Sequence, residues 1–255
     1  MEIFTQVDTW VALLTLTFLE IVLGIDNIIF ISIATGKLPQ HQQKKATNIG
    51  LLLAMVFRVI LLLGVSYLIA MKDALFTIEN TWIDTHVSGQ SIILVLGGLF
   101  LLYKSTSEIR HKVEDDTEEA SAIKKATSTM SKTIIQIVLI DIVFSFDSVL
   151  TAVGMTNGTP GALYIMITAV LVSMAIMMLF ANPVGKFVNT HPTIQMLALS
   201  FLILIGFMLI TEGAHLAHTR IFDQEVGAIP KGYLYFAIAF SLGVEALNMK
   251  IRKKK

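Results

Sequence analysis

Apolar residues along this chain are gathered into long blocks that short polar segments separate. We count seven blocks, near residues 10–35, 46–71, 88–104, 133–155, 161–181, 194–212 and 233–250. Their lengths are close to the roughly 17 to 25 residues that a helix needs to cross the hydrocarbon core of a bilayer. We expect the first block to remain as a span, because the segment before it is acidic and no small-residue cleavage site follows it. The pattern predicts an all-α polytopic membrane protein with seven transmembrane helices.

The composition agrees with a membrane protein. Hydrophobic residues make up 55% of the 255 residues and charged residues 15%, whereas soluble domains average about 25% charged residues. The chain has no cysteine, which excludes disulfides, thiolate metal sites and thiol nucleophiles. The formal net charge is zero. We expect a lipid bilayer around the chain and no nucleic-acid partner.

The basic residues predict the orientation of the chain in the membrane. If the N-terminus lies outside, fifteen of the nineteen lysines and arginines fall on the inner side. Lys72, Arg220 and Lys231 fall on the outer side, and Arg58 lies within the second block. The positive-inside rule therefore predicts an outer N-terminus and a cytoplasmic C-terminus. The basic C-terminal segment KIRKKK is then most simply a topology anchor.

Two of the blocks carry the same arrangement of acids, in the segments LEIVLGIDNIIF and IDIVFSFDSVL. Three residue pairs share an offset of 121 residues, namely Glu20 and Asp141, Asp26 and Asp147, and Asn27 and Ser148. A weaker match relates Gly98 to Gly206 at an offset of 108. Because each repeat would hold an odd number of spans, the second copy would be inverted, as in many secondary transporters. The sequence thus predicts a 3+3 inverted repeat followed by one C-terminal helix.

The repeat divides the chain into five segments. They are a first repeat at 1–104, a cytoplasmic linker at 105–132, a second repeat at 133–212, an outer loop at 213–232, and a last span with its basic tail at 233–255. The linker is polar and mixed in charge, which favours a solvated and partly helical segment.

Ionised carboxylates inside a membrane span are costly, on the order of 2.5 to 3.5 kcal/mol each on insertion scales, so such acids are usually functional and paired. Carboxylate, amide and hydroxyl oxygens are hard ligands, which suit Mn, Mg or Ca. The predicted metal ligands are Glu20, Asp26, Asn27, Asp141, Asp147 and Ser148. In the alternative interpretation, the acids are protonated and hydrogen-bonded structural groups.

The spacing of the acids leaves two arrangements open. In an unbroken helix, six residues advance about 9 Å and turn about 600°, so one helix cannot chelate an ion with both of its acids. The opposed helix directions would then place Glu20 near Asp147. They would place Asp26 near Asp141, which gives two carboxylate layers. If the helices instead unwind, for example at Gly24, all four acids could surround one ion.

Arg58 is a basic residue at the centre of the second block. Because a guanidinium facing lipid is costly, we expect it to turn toward the acids and to neutralise them partly when no cation is bound. Four ionised carboxylates and one arginine carry a net charge of −3, which makes exchange of protons against a divalent metal a reasonable hypothesis. A structural salt bridge without a part in coupling is the alternative.

Two weaker groups are accessory candidates. Glu212, His215 and His218 follow one another at intervals of three residues after the sixth block. They could form an outer release site, although an interfacial helix end with ordinary histidines is the favoured interpretation. Glu245 and Asn248 fall on one face of the last block, where they could join the polar core or cap the helix.

Four segments resemble the corresponding blocks of the TerC family of integral membrane proteins. They are LEIVLGIDNIIF, DIVFSFDSVLTAVGMT, ITEGAH and IPKGYLYFAIAFSLGVEALNM. The resemblance extends over nearly all seven blocks. It implies a bacterial inner-membrane protein of the wider lysine-exporter superfamily, related to cation effluxers, since several family members are linked to manganese export.

These expectations describe an exporter of a divalent cation, with Mn²⁺ as the first candidate and protons as a candidate counter-ion. The metal would be a substrate, with no permanently bound cofactor, and we expect no enzymatic activity. The alternative is a non-transporting membrane scaffold that delivers metal to partner proteins, or assembles with them, in metal or tellurium stress resistance. Homo-oligomers or other membrane proteins are candidate partners.

Overall fold

A computed structural model describes residues 7–115, 129–156, 159 and 161–252, apart from the side chains of Ile25, Asp26, Asp115 and Arg252. The described residues form eight helices: α1 (Val7–Gly36), α2 (Gln40–Leu63), α3 (Val65–Ala70), α4 (Gly89–Asp115), α5 (Met130–Thr156), α6 (Ala162–Asn189), α7 (Pro192–Leu216) and α8 (Lys231–Arg252). All but the short α3 are long and apolar enough to cross a membrane. The predicted fold class, a helical membrane protein with seven spans, is confirmed.

Some helix bounds differ from the predicted blocks. The second block is divided at Gly64, which ends α2 and precedes α3. Helix α4 continues beyond the third block to Asp115, so the first part of the predicted linker is helical, while residues 116–128 lie outside the described part. Ion pairs one turn apart, Lys104 with Glu108 and Arg110 with Glu114, favour this extension of α4.

Four short strands, which the sequence analysis did not predict, lie between the helices. They are β1 (Ala74–Glu79), β2 (Ile83–Ser88), β3 (Arg220–Ile221) and β4 (Gln224–Glu225). They form one antiparallel sheet in the order β1-β2-β3-β4. The β3–β4 hairpin turns through Phe222 and Asp223, which both have positive φ, as the central residues of a type I′ turn do. The predicted outer loop therefore contains the end of α7 and this second hairpin.

The helices separate into two compact units, and the first contains α1, α2, α3, α5 and α6. Within it, α1 lies along α6, and α2 lies along α5. Small residues allow the close approach of α1 and α6, because Gly24 lies against Met177 and Ser32 Oγ donates a 2.9 Å hydrogen bond to the carbonyl oxygen of Gly185. The largest fully buried apolar side chains of this unit are Leu16, Phe30, Leu51, Leu62, Ile137, Ile140, Ile165 and Met174.

The second unit contains the sheet, α4, α7 and α8. Helices α4 and α7 form its main contact, and α8 packs against α7. Gly98 on α4 and Gly206 on α7 face one another, and Gly213 lies against the carbonyl oxygen of Ser91. Glycines at these positions let the two backbones approach closely, as at many helix contacts in membranes.

Candidate functional site

Arg58 joins two of the predicted acids inside the first unit. Its Nη1 atom donates to Glu20 Oε2 at 2.5 Å, and its Nη2 atom donates to Asp141 Oδ1 at 2.7 Å. A third bond, of 3.1 Å, runs from Nε to Asp141 Oδ2, so Asp141 binds the guanidinium with both oxygens. The three residues come from α1, α2 and α5. We call Glu20, Arg58 and Asp141 the ionic cluster.

Asp141 is the most heavily bonded member of the ionic cluster. Besides the two bonds from Arg58, it accepts bonds from Asn27 Nδ2 at 3.3 Å and from Ser145 Oγ at 3.0 Å. Ser145 follows Asp141 by one helical turn, so both side chains lie on the same face of α5. The sequence analysis did not select Ser145, although it stands between the two acids of the segment IDIVFSFDSVL.

The ionic cluster is removed from solvent. Glu20, Arg58 and Asp141 are each 3% exposed. Two carboxylates and one guanidinium leave a net charge of −1 if all are ionised. Burial makes such a charge costly unless another cation or a proton offsets it. The cluster is therefore a place where a cation is favoured and an anion is excluded.

Asn27 adds a neutral oxygen ligand to this environment. Its Nδ2 atom donates to Asp141, while its Oδ1 atom is buried and has no hydrogen-bond partner among the described residues. A buried acceptor without a donor costs free energy, and amide oxygen is a ligand that hard divalent cations accept. Ser148, also buried, donates a 3.3 Å bond from its hydroxyl to the backbone oxygen of Ser145.

The second acids of the two predicted pairs are Asp26 and Asp147. The side chain of Asp26 lies outside the described residues, so its predicted role as a ligand stays a prediction. Asp147 is half-buried on α5, and its backbone oxygen accepts a 3.0 Å bond from Thr151 Oγ1. Among the described side chains, no group of three or more His, Asp or Glu is placed to hold a metal ion.

The structure brings together one acid from each predicted pair, because Glu20 and Asp141 bind the same guanidinium. The long side chain of Arg58, on a third helix, reaches both acids. Helices α1 and α5 are continuous through Gly24 and through Ser145–Ser148, so they do not show the unwinding that the alternative of one four-acid site invoked. The two layers, with Glu20 near Asp147 and Asp26 near Asp141, stay a prediction.

The predicted outer group does not form one helical face. Helix α7 ends at Leu216, and His218 has a positive φ of 48° beyond its end. His215 lies 3.8 Å from the carboxylate of Glu225 on β4. The interval of three residues from Glu212 through His218 therefore does not place these side chains on a common face, because the helix stops before the third.

Glu245 and Asn248 lie together on α8, where Asn248 Nδ2 is 3.4 Å from Glu245 Oε2. Glu245 also lines a cleft of about 380 Å³ between α7 and α8, with Thr193, Ser200 and Ser241 among the other polar residues. Both residues thus lie on α8 in the second unit, and Glu245 faces the cleft toward α7.

One buried acid lies in the segment that the sequence analysis treated as a solvated linker. Glu108 on α4 is buried, and its Oε1 atom is 2.9 Å from Lys104 Nζ. The sequence contains a sign of this pair, because opposite charges four residues apart at the end of an apolar block favour a continuing helix. The buried state of Glu108 could not be predicted from the spacing alone.

The described part of the chain has seven helices long and apolar enough to cross a membrane, and its first unit contains the buried ionic cluster. These features define a polytopic membrane protein. Comparison with known proteins agrees. The sequence profile of the family "Integral membrane protein TerC family" matches residues 5–255. The chain belongs to the TerC family of integral membrane proteins.

Relatives of similar length are known in bacteria. The chain is 46% identical to the "UPF0053 inner membrane protein YgdQ" of Escherichia coli K12, over 98% of this chain and 96% of the relative. It is 43% identical to a "UPF0053 protein" of Haemophilus influenzae, over 96% and 95% of the two chains. The "UPF0053 inner membrane protein YoaE" of Escherichia coli K12 is longer, and this chain matches 45% of its length at 42% identity. No solved structure matches the chain significantly.

Proposed function

We propose that this chain exports a divalent metal cation, with Mn²⁺ as the first candidate, through the ionic cluster and in exchange for protons. Membership of a family of integral membrane proteins supports a role in membrane transport. The substrate and the coupling are proposals from the chemistry of the cluster.

The observation that carries this proposal is the buried guanidinium held by two carboxylates from different helices. Charge-assisted hydrogen bonds of this kind are the strong ones in proteins. The cluster already binds a cationic group, and its donors are carboxylate and amide oxygens, which suit Mn²⁺ better than soft metals. The orphan Oδ1 atom of Asn27 adds a ligand that the guanidinium does not use.

A metal ion and Arg58 would compete for the same oxygen atoms. Binding of a divalent ion to Glu20 and Asp141 requires the guanidinium to move away, which exposes a positive charge to its new surroundings. When the metal leaves, the guanidinium or protons can return to the carboxylates. This competition gives a physical reason for coupling metal release to proton uptake.

The helix contacts support the proposed inverted repeat. In the proposed repeat, α1, α2 and α4 correspond to α5, α6 and α7, in that order. Under this correspondence the α1–α6 contact maps onto the α5–α2 contact, and both contacts are extensive. The same correspondence maps the α4–α7 contact onto itself. Transporters built in this way hold their substrate near the repeat interface and alternate its access to the two sides.

Flux through the purified chain in proteoliposomes tests the proposal. A metal-sensitive dye inside the vesicles would report entry of Mn²⁺, Mg²⁺, Ca²⁺ or Zn²⁺, with and without a pH gradient. We expect a pH gradient to accelerate Mn²⁺ flux, and we expect a Mn²⁺ gradient to drive proton movement in return. Metal binding without flux would contradict export and favour the scaffold function. The absence of both binding and flux would contradict the metal site itself.

A further inference from the structure

The four-stranded sheet has two chemically different faces. Residues directly opposite one another in an antiparallel pair point to the same side of a sheet. One side carries Phe76, Ile78, Ile83, Thr85, Val87 and Ile221, with Gln224 at its edge. The other side carries Thr77, Glu79, Asp84, His86, Arg220 and Glu225. We call these the apolar face and the charged face.

Much of the apolar face is exposed in the described part of the chain. Phe76, Ile78, Ile83 and Ile221 are 43% to 50% exposed. Two aromatic residues of the adjoining hairpin turns are also exposed, since Trp82 is 62% and Phe222 66% exposed, and their ring centroids lie 5.5 Å apart. Large apolar side chains exposed together outside membrane helices indicate a surface that something covers.

The sheet is tied closely to the ends of the membrane helices. Ser88, the last residue of β2, directly precedes α4, and Ala217 accepts a 2.7 Å bond from the backbone nitrogen of His86 just after α7. The connections from the sheet to α4, α7 and α8 have at most five residues, and the longest of these three is residues 226–230 before α8. Five extended residues reach about 18 Å at most. The sheet must therefore lie at the boundary of the bilayer.

We propose that the apolar face of the sheet lies on the lipid surface, in the headgroup and upper acyl region of the leaflet at which α7 ends. Tryptophan and other aromatic rings favour this region of a membrane. The charged face carries three carboxylates and one arginine, so it is repelled by anionic headgroups and turns to water. The two faces thus match the two sides of a membrane–water interface.

This seat on the lipid surface would fix the depth of two helix ends. The hydrogen bond from His86 in β2 to Ala217 joins the sheet to the end of α7, and β2 continues directly into α4. A sheet held at the interface therefore holds the ends of α4 and α7 at the same level. This inference does not depend on the nature of the transported ion.

Single tryptophans on the two faces test the proposal. The chain has two tryptophans, Trp10 and Trp82, and replacing both by phenylalanine gives a background without indole fluorescence. Ile78→Trp then reports the apolar face, and Thr77→Trp, its neighbour on β1, reports the charged face as a matched control. Each variant is reconstituted with lipids that carry bromine on the upper acyl chain, or with plain lipids and iodide on both sides of the membrane.

We expect brominated lipid to quench the Ile78→Trp variant, and iodide to quench it several-fold less than the Thr77→Trp variant. A Trp10→Phe variant, which keeps Trp82 and an otherwise native sheet, should also be quenched by lipid. Equal iodide access at both positions would overturn the proposal. Protection of the apolar face from both quenchers would overturn it as well, and loss of that protection on dilution into excess lipid would identify a second copy as the cover.

Discussion

Gly98 and Gly206 meet with their backbones in contact. A Cβ atom on Gly98 would lie 2.5 Å from the carbonyl oxygen of Gly206, and a Cβ atom on Gly206 would lie 2.9 Å from the carbonyl oxygen of Gly98. The contact is reciprocal, as it would be at an axis relating the two repeats. These are also the two glycines that the weaker sequence repeat aligns.

Alanine at either of these glycines should destabilise the second unit. The neighbouring atoms are backbone, which cannot move aside without separating α4 from α7. We expect a loss of about 1 to 3 kcal/mol in the free energy of unfolding, the usual cost of overpacking. Thermal or denaturant unfolding of Gly98→Ala and Gly206→Ala in detergent measures this loss.

Gly243 on α8 provides a matched control, because a Cβ atom there would meet nothing within 4 Å. Gly243→Ala should leave stability unchanged or raise it by up to about 1 kcal/mol through helix propensity. Stability losses of the same size in all three variants would show that the α4–α7 approach has no special cost.

The sequence predicted the spans well because their signal is local. A block of apolar residues that is long enough must form a helix in lipid, since no other backbone arrangement satisfies its hydrogen bonds there. The sheet also has a local pattern, because Phe76, Ile78, Ile83 and Val87 are separated by polar residues and by a turn at Asn80. The apolar blocks that define the spans do not reveal this pattern, because the strands are too short to form such a block.

The residues of the ionic cluster could be predicted from the sequence, whereas their geometry could be predicted only in part. Acids and an arginine inside spans must find one another, since each is costly alone. Which acid meets Arg58 depends on the rotation and tilt of three helices, and sequence spacing does not define these. For the same reason, the bond from Ser145 to Asp141 required the structure.

Removing the charge of an acid within a membrane span, at Asp26 or Asp147, should stop transport without unfolding the chain. Asp147→Asn and Asp26→Asn keep the shape of the side chain and lose a hard, charged ligand, so we expect metal flux to fall to background while expression is retained. Asp223→Asn, in the exposed β3–β4 turn, is the control and should transport as the parent does. Unchanged flux in either span variant would show that the replaced acid is not a ligand of the transported ion.

The orientation of the chain can be tested with single cysteines, because the parent has none. Lys37 and Glu225 are exposed and lie outside the spanning helices. An impermeant thiol reagent added outside intact cells should label Glu225→Cys and leave Lys37→Cys unmodified, as the positive-inside rule requires. Permeabilised cells should label both. The opposite pattern in intact cells would reverse the predicted topology.

Arg58 provides the sharpest test of the proposed mechanism, because coupling and bracing predict different results. Replacing it with methionine leaves Glu20 and Asp141 without their shared guanidinium, and breaking a buried ion pair in this way costs about 3 to 5 kcal/mol. If the guanidinium stands in for the transported ion, a divalent metal should restore much of that loss, because ligand binding stabilises the folded state. The variant should bind Mn²⁺ more tightly than the parent, release it more slowly, and exchange a different number of protons on binding.

A guanidinium that only braces the helices predicts lower stability with an unchanged affinity per folded molecule. Calorimetric Mn²⁺ titrations of detergent-purified parent, Arg58→Met and Arg58→Lys at several pH values separate the two roles. Arg58→Lys keeps the charge and should resemble the parent more than Arg58→Met does. Arg110→Met, at an exposed arginine paired with Glu114, is the matched control and should leave metal binding unchanged. Equal affinity and equal proton release in parent and Arg58→Met at every pH would exclude the coupling role, since the guanidinium would then not compete with the metal for Glu20 and Asp141.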